Sequence, residues 1–197
     1  MEKVSDRLER WLHGDQPKTL SSLIELFGEK SFAIVFVVLM AVPALPLPTG
    51  GVTHVLEAIT MLLALELLVG RRTIWLPARF RRFEVGGGSS ERFARGLVTR
   101  IRWFERFSRP RLGWLLRQRL SGIVFGALVL ALALTAFLAP PFSGLDTLPS
   151  LGVVVLSLGV LLEDFVLACA GLVIGALGVA TVIGLGGLVV RSLHHLF

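Results

Sequence analysis

The chain reads as an all-α, polytopic integral membrane protein: two repeated helical hairpins, each broken at a Pro/Gly turn, plus amphipathic helices at the membrane interface. Three observations carry that expectation. Of the 197 residues, 54% are hydrophobic and only 17% charged, against about 45–50% apolar and 25% charged in ordinary soluble domains; mean hydropathy is +0.76. The charges are segregated: 32–70 holds only Glu57 and Glu66, and 121–190 only Asp146, Glu163 and Asp164, with no base in either tract. Such tracts are bilayer spans and not the core of a soluble domain. Third, the apolar unit occurs twice. A constant offset of 93 positions, with no gap, places Phe32 on Phe125, Leu39 on Leu132, Leu45 on Leu138, Pro48 on Pro141, Gly51 on Gly144, Leu63 on Leu156 and Leu68 on Leu161. Pro/Gly breaks at corresponding places in two apolar units point to a binding site in transporters.

The elements follow in order within a single membrane domain. Residues 1–30 are read as N-terminal amphipathic helices. Val4, Leu8, Trp11 and Leu12 share a face, with Glu2, Lys3, Asp6, Arg7, Glu9 and Arg10 on the rest. That is the pattern of a helix on a membrane surface. This stretch has no continuous apolar core with a cleavage site, so no signal peptide is expected. Thr19 or Ser21 can cap a second helix carrying Leu20, Leu23, Ile24 and Phe27.

Residues 31–72 form the first hairpin. Its arms, Ser31–Leu45 and Val52–Val69, flank Pro46, Pro48, Gly50 and Gly51. The first arm reaches only about 22 Å as a helix, short of the roughly 30 Å hydrocarbon core. Two readings stay open: a hairpin of short spans with its loop at the far face, or a re-entrant pair whose turn lies inside the membrane. Irregular backbone is tolerated there only beside protein or a water-filled cavity.

Residues 73–110 form a connector. Fourteen of the 20 bases are arginines between Arg71 and Arg119, which the positive-inside rule assigns to the cytoplasm. A helix here would carry Phe93, Leu97, Ile101 and Phe104 beside Arg92, Arg95, Arg100, Arg102 and Arg106. It is expected to face lipid and attract anionic headgroups, with Trp75, Trp103 and Trp114 in the aromatic belt. The net charge of +6 thus points to lipid and not to nucleic acid. Residues 111–164 hold the second unit, turning at Pro140, Pro141 and Gly144. Residues 165–197 hold a final span whose Gly171, Gly175 and Gly178 allow close helix packing, within the chain or in a homodimer. Both hairpins entering from one side makes the repeats parallel; an odd number of crossings makes them inverted. The sequence leaves both open.

Ionisable groups inside a membrane tract cost roughly 2.5–3.5 kcal/mol at mid-span on insertion scales. His54 and Glu57, one turn apart, are therefore the leading candidates for a shared proton or cation site. Thr49 and Ser143 offer hydroxyls beside broken helix ends, where backbone amides favour anions. Asp146 is expected to cap the arm that follows it, and Glu66 to bridge to Arg71 or Arg72. Glu163 and Asp164 are expected at the interface. The offset puts Thr147 and Ser150 opposite His54 and Glu57, so any site is asymmetric. The single cysteine, Cys169, excludes an intramolecular disulfide, and no zinc spacing, HExxH, GxSxG or phosphate loop occurs. No enzyme and no cofactor are expected.

The ordered markers resemble one family. They are Leu20–Glu29 before an apolar run, Pro43-Ala-Leu-Pro-Leu-Pro-Thr-Gly-Gly51, Leu62-Leu-Ala-Leu-Glu-Leu-Leu-Val-Gly-Arg-Arg72 with Trp75-Leu-Pro, Pro110-Arg-Leu, and Pro140-Pro-Phe-Ser-Gly144 ending in Leu161-Leu-Glu-Asp164. Over nearly the whole chain the set is similar to the ExoD family, membrane proteins named for exopolysaccharide synthesis. His54 and Glu57 depart from it, standing where more apolar residues are expected. The resemblance implies a process, exopolysaccharide synthesis with its machinery, and not a mechanism; the residues themselves suggest a bacterial inner-membrane protein working either as a small transporter or as a module docking anionic lipid or a synthesis complex.

Overall fold

A computed structural model describes residues 3–14, 17, 19–45, 51–71, 74–75, 89–108, 119–140 and 143–194, with no account of the side chains at 29, 89–94, 119–120 and 186–194. Among the described residues there are eight α-helices and no strand: α1 (Val4–His13), α2 (Leu20–Phe27), α3 (Ser31–Met40), α4 (Gly51–Leu68), α5 (Ser89–Phe107), α6 (Arg119–Leu138), α7 (Thr147–Leu161) and α8 (Phe165–His194). Stretches Gly51–Leu68, Ser121–Leu138 and Phe165–Leu185 are long and apolar enough to cross a membrane.

The core is α3. All ten of its residues are buried, as a helix that is apolar all round must be. It packs on α2, α4 and α7, and Phe36 meets Phe125 of α6 edge-on at 5.7 Å. Outward-facing positions on α4, α6 and α8 remain apolar and exposed, among them Val55, Leu62, Val124, Leu134, Val173 and Leu177. A soluble monomer rarely leaves so much apolar surface bare; a lipid-facing perimeter accounts for it.

Two antiparallel helix pairs hold the hairpins together. In α4–α6, Gly126 lies against Ala64 and Leu68 at one end, and the His54 ring meets that of Phe137 at 5.4 Å at the other. In α3–α7, Lys30, just before α3, donates to the Leu161 carbonyl at 3.1 Å and pairs with Glu163 at 2.8 Å. Helix α8 then returns along α7 on a seam of small residues. A Cβ on Gly152 would stand 2.4 Å from Gly175 Cα; one on Gly171, 2.2 Å from the Leu156 nitrogen; one on Gly178, 2.5 Å from the Pro149 nitrogen. The three glycines of the final span are used within the chain.

The turn into α8 is tight. Glu163 adopts φ 58°, and the Asp164 carboxylate caps α8 by accepting from the Val166 amide at 3.0 Å. Glu163 and Asp164 are both buried against protein at the polar end of the helix pairs. Thr19 caps α2 in a reciprocal box with Ser22. The Glu66 carboxylate accepts from the Trp75 amide at 2.8 Å, which folds the chain back after α4; Arg72, one of its two expected ion-pair partners, lies outside the described residues.

Helix α5 has a protein partner. Its Leu97, Val98 and Ile101 are buried in a layer formed with α1, whose Leu8 and Trp11 are also buried. Glu105 accepts from the Ser5 amide at 3.0 Å and from its hydroxyl. Arg102 pairs with Glu9 and, at 3.8 Å, with Asp6. Arg95, Arg100, Trp103, Arg106 and Phe107 point outward; the Arg92 side chain lies outside the described residues.

Candidate polar site at the paired turns

Helix α4 begins at Gly51 and brings Thr53, His54, Glu57 and Thr60 into its first turns. Glu57 is 0% exposed although ionisable. The i,i+3 spacing places His54 Nδ1 3.2 Å from Glu57 Oε2. Yet among the described residues neither carboxylate oxygen, nor Nδ1, is in hydrogen-bond geometry with any group, so the pair is close without being bonded. Thr60 is not the missing donor, because its hydroxyl donates to the Leu56 carbonyl at 2.9 Å. Phe137 covers the imidazole from the end of α6. Asp146, across the second turn, is near enough to act electrostatically on the Glu57 carboxylate.

The second turn is built locally. Gly144 takes φ 68°. Ser143 donates to the Pro140 carbonyl at 2.6 Å and accepts from the Leu145 amide at 3.2 Å, so its hydroxyl serves the turn. Asp146 occupies the cap position of α7 but makes no side-chain capping bond. Thr49, Pro46, Pro48, Gly50 and Pro141 lie outside the described residues; Gly51 and Pro140 are exposed at the helix ends.

Of the candidates read from the sequence, the structure thus brings together His54, Glu57 and Asp146 and commits Ser143 to the turn. Sequence reasoning missed Phe137, for which a lone aromatic in an apolar run gave no signal. It also passed over Ser150, whose hydroxyl is buried with no partner; the signal was available, since the offset of 93 carries Glu57 onto Ser150.

A carboxylate with two bare oxygens in apolar surroundings is relieved by a proton or a small cation, because burial of an unpaired charge is costly. The buried Glu57 carboxylate and the neighbouring imidazole supply acceptors and no fixed counter-charge. Among the described residues no group of three or more His, Cys, Asp or Glu side chains is arranged to hold a metal ion.

Residues 4–184 match the family described as "Exopolysaccharide synthesis, ExoD". The chain belongs to the ExoD family. Two curated relatives agree in extent. An uncharacterized protein of Synechocystis sp. is 25% identical over 158 residues, 80% of this chain and 74% of that protein. The protein ExoD of Rhizobium meliloti is 28% identical over 159 residues, 78% of this chain and 64% of that protein. The alignment thus spans somewhat under two thirds of the Rhizobium ExoD. No solved structure matches the chain. The ExoD assignment ties the chain to exopolysaccharide synthesis as a process; the turns, with their buried His54–Glu57 pair, are where its polar chemistry is concentrated.

Proposed function

We propose that this ExoD-family protein supports exopolysaccharide synthesis from the bacterial inner membrane without being an enzyme. It acts as a small transporter whose proton or cation site is formed by His54, Glu57 and Asp146 at the paired turns. One observation carries the reading: Glu57 is wholly buried with both oxygens unbonded, 3.2 Å from an imidazole nitrogen. A purely structural acid would be expected to hold donors, as Asp164 does. On this reading Glu57 alternates between a bound proton or cation and pairing with His54, and Asp146 raises the local affinity for positive charge. The Arg-rich connector is cytoplasmic under the positive-inside rule.

The test is pH-driven ion flux in proteoliposomes, comparing the parent with Glu57→Gln. Loss of flux supports the site. Flux unchanged in the variant, or absent from the parent, removes the transporter reading.

A second reading, a module docking anionic lipid, is favoured by a separate observation. Helix α1 covers the apolar stripe of α5, leaving Arg100, Trp103, Arg106 and Phe107 on its open face, where basic and aromatic groups suit a headgroup layer. Here anionic lipid should raise the melting temperature of the detergent-solubilised protein, and Arg100→Gln with Arg106→Gln should remove that increment.

A further inference from the structure

Helix α8 is a ruler for depth. Gly159 faces Ala168, Leu156 faces Gly171, Gly152 faces Gly175 and Pro149 faces Gly178, so α7 and α8 lie level along the whole of α7. Gly178 is about 20 Å along α8 from Phe165 at 1.5 Å per residue. Leu132 of α6 touches Gly175, which sets the end of α6, Leu138, about 9 Å further along. The second turn therefore stands about 20–24 Å from the polar end marked by Lys30, Glu163 and Asp164, and the His54–Phe137 contact carries the start of α4 to a similar depth. Beyond them α8 continues, apolar as far as Val190, with Arg191 as the next charge. Ile183, on this overhang, is 69% exposed. Turns at the membrane surface would leave about 13 Å of bare apolar helix in water.

The contacts also carry a symmetry. The offset of 93 maps α3 onto α6 and α4 onto α7, and so maps the α3–α7 pair onto α6–α4. Lys30 against Leu161 becomes Ile123 against Leu68. The observed neighbours bracket that pair: Gly122 lies against Leu67, and Gly126 against Leu68. The interfacial layer obeys the same rule. Val4, Leu8 and Trp11 map onto Leu97, Ile101 and Phe104, so α1 maps onto α5. Arg102 and Glu9, which bond each other, are separated by the offset itself. Both hairpins enter from one end, so the axis runs along the membrane normal. Glu57 maps onto Ser150, and both are wholly buried with unpartnered polar atoms.

We propose that the two hairpins are re-entrant and related by an internal two-fold axis, placing the His54–Glu57 site within the hydrocarbon, with Asp146 near it and Ser150 as the symmetry mate of Glu57, where a small cation reaches it from the far face. The near side is closed by the buried α3 and the Lys30–Glu163 pair. The far side ends in the exposed Gly51, Pro140, Ser143 and Gly144. With a hydrocarbon core of roughly 30 Å, the turns stop about 6–10 Å short of the far boundary. The choice of a cation rests on the function proposed above; the depth does not.

The experiment reads depth alone. The full chain, with Cys169→Ser, receives single cysteines by Leu138→Cys and Val52→Cys at the turns, 67% and 60% exposed toward lipid. Leu177→Cys and Leu185→Cys provide the scale on α8. Each protein is spin-labelled, reconstituted into bilayers, and its depth taken from collisions with oxygen against a nickel chelate. The Leu138 and Val52 labels should fall between those at Leu177 and Leu185, inside the hydrocarbon. Headgroup-level depth at both turn positions overturns the proposal. Because flux is not measured, this result and failure of the transport test are separable.

Discussion

Adding one methyl group at Gly152 should open the seam between α7 and α8. Its Cβ would lie 2.4 Å from Gly175 Cα and 2.6 Å from Gly175 N, where contacting carbons prefer about 3.5–4.0 Å. The obstacle is backbone, so no rotamer change relieves it, and the helices must part by about 1 Å or more. A gap of that size forfeits a quarter to a half of each contact well, and it spreads along the seam to Gly159–Ala168, Leu156–Gly171 and Pro149–Gly178. Overpacking ordinarily costs about 1–3 kcal/mol, and a shared rigid seam belongs at the upper end. For a chain near 200 residues, 1 kcal/mol moves the melting temperature by about 2–4 °C, giving a loss of roughly 6–12 °C for Gly152→Ala. The assay is size-exclusion after heating in mild detergent at a fixed scan rate. The control is Gly184→Ala on the partner helix α8, where a Cβ meets nothing within 4 Å and the gain in helix propensity is about 1 kcal/mol. If Gly152→Ala melts with Gly184→Ala, the close approach of α7 and α8 is wrong.

Three further outcomes are expected in the same assay. Asp164→Ala removes the cap of α8 and should cost about 0.5–2 kcal/mol, with Asp164→Asn recovering most of it; equal losses in the two variants would exclude capping. Lys30→Met removes the ion pair to Glu163 and the donor to the Leu161 carbonyl, and should cost about 1–3 kcal/mol, whereas no loss would mean that the pair does not tie the hairpins. Glu57→Leu should raise the melting temperature while abolishing flux, because an unbonded buried acid is retained for function at the expense of stability. A fall in melting temperature would show that the carboxylate is held by partners.

The hairpin arms were legible because charge and Pro/Gly marks bound them on both sides. The expected arm Val52–Val69 matches α4, Gly51–Leu68, to within one residue at each end, whereas the arm expected over Ser31–Leu45 is α-helical only as far as Met40. His54 and Glu57 were legible because ionisable groups in an apolar tract stand out. Long-range pairing was not. Nothing local says that Arg102 meets Glu9 or that Lys30 meets Glu163, so the arginine helix read as purely lipid-facing and Glu163 as interfacial. Glu66 was read with near neighbours in sequence, and the Trp75 amide that the backbone folds onto it was not foreseen. The glycines of α8 signalled close packing but not with which helix; only the matching glycines of α7 decide that.

The burial of α3 also has a cost in time. Ten residues of helix reach about 15 Å, too little to rest in a bilayer as a span. One flank of α3 is covered by α7, which ends at Leu161, about 120 residues downstream. At about 5–20 residues per second of synthesis, α3 waits some 6–24 s for that cover. During that interval one flank of a short apolar helix lacks the cover that α7 later supplies, which is the stage at which the first hairpin is most open to misassembly.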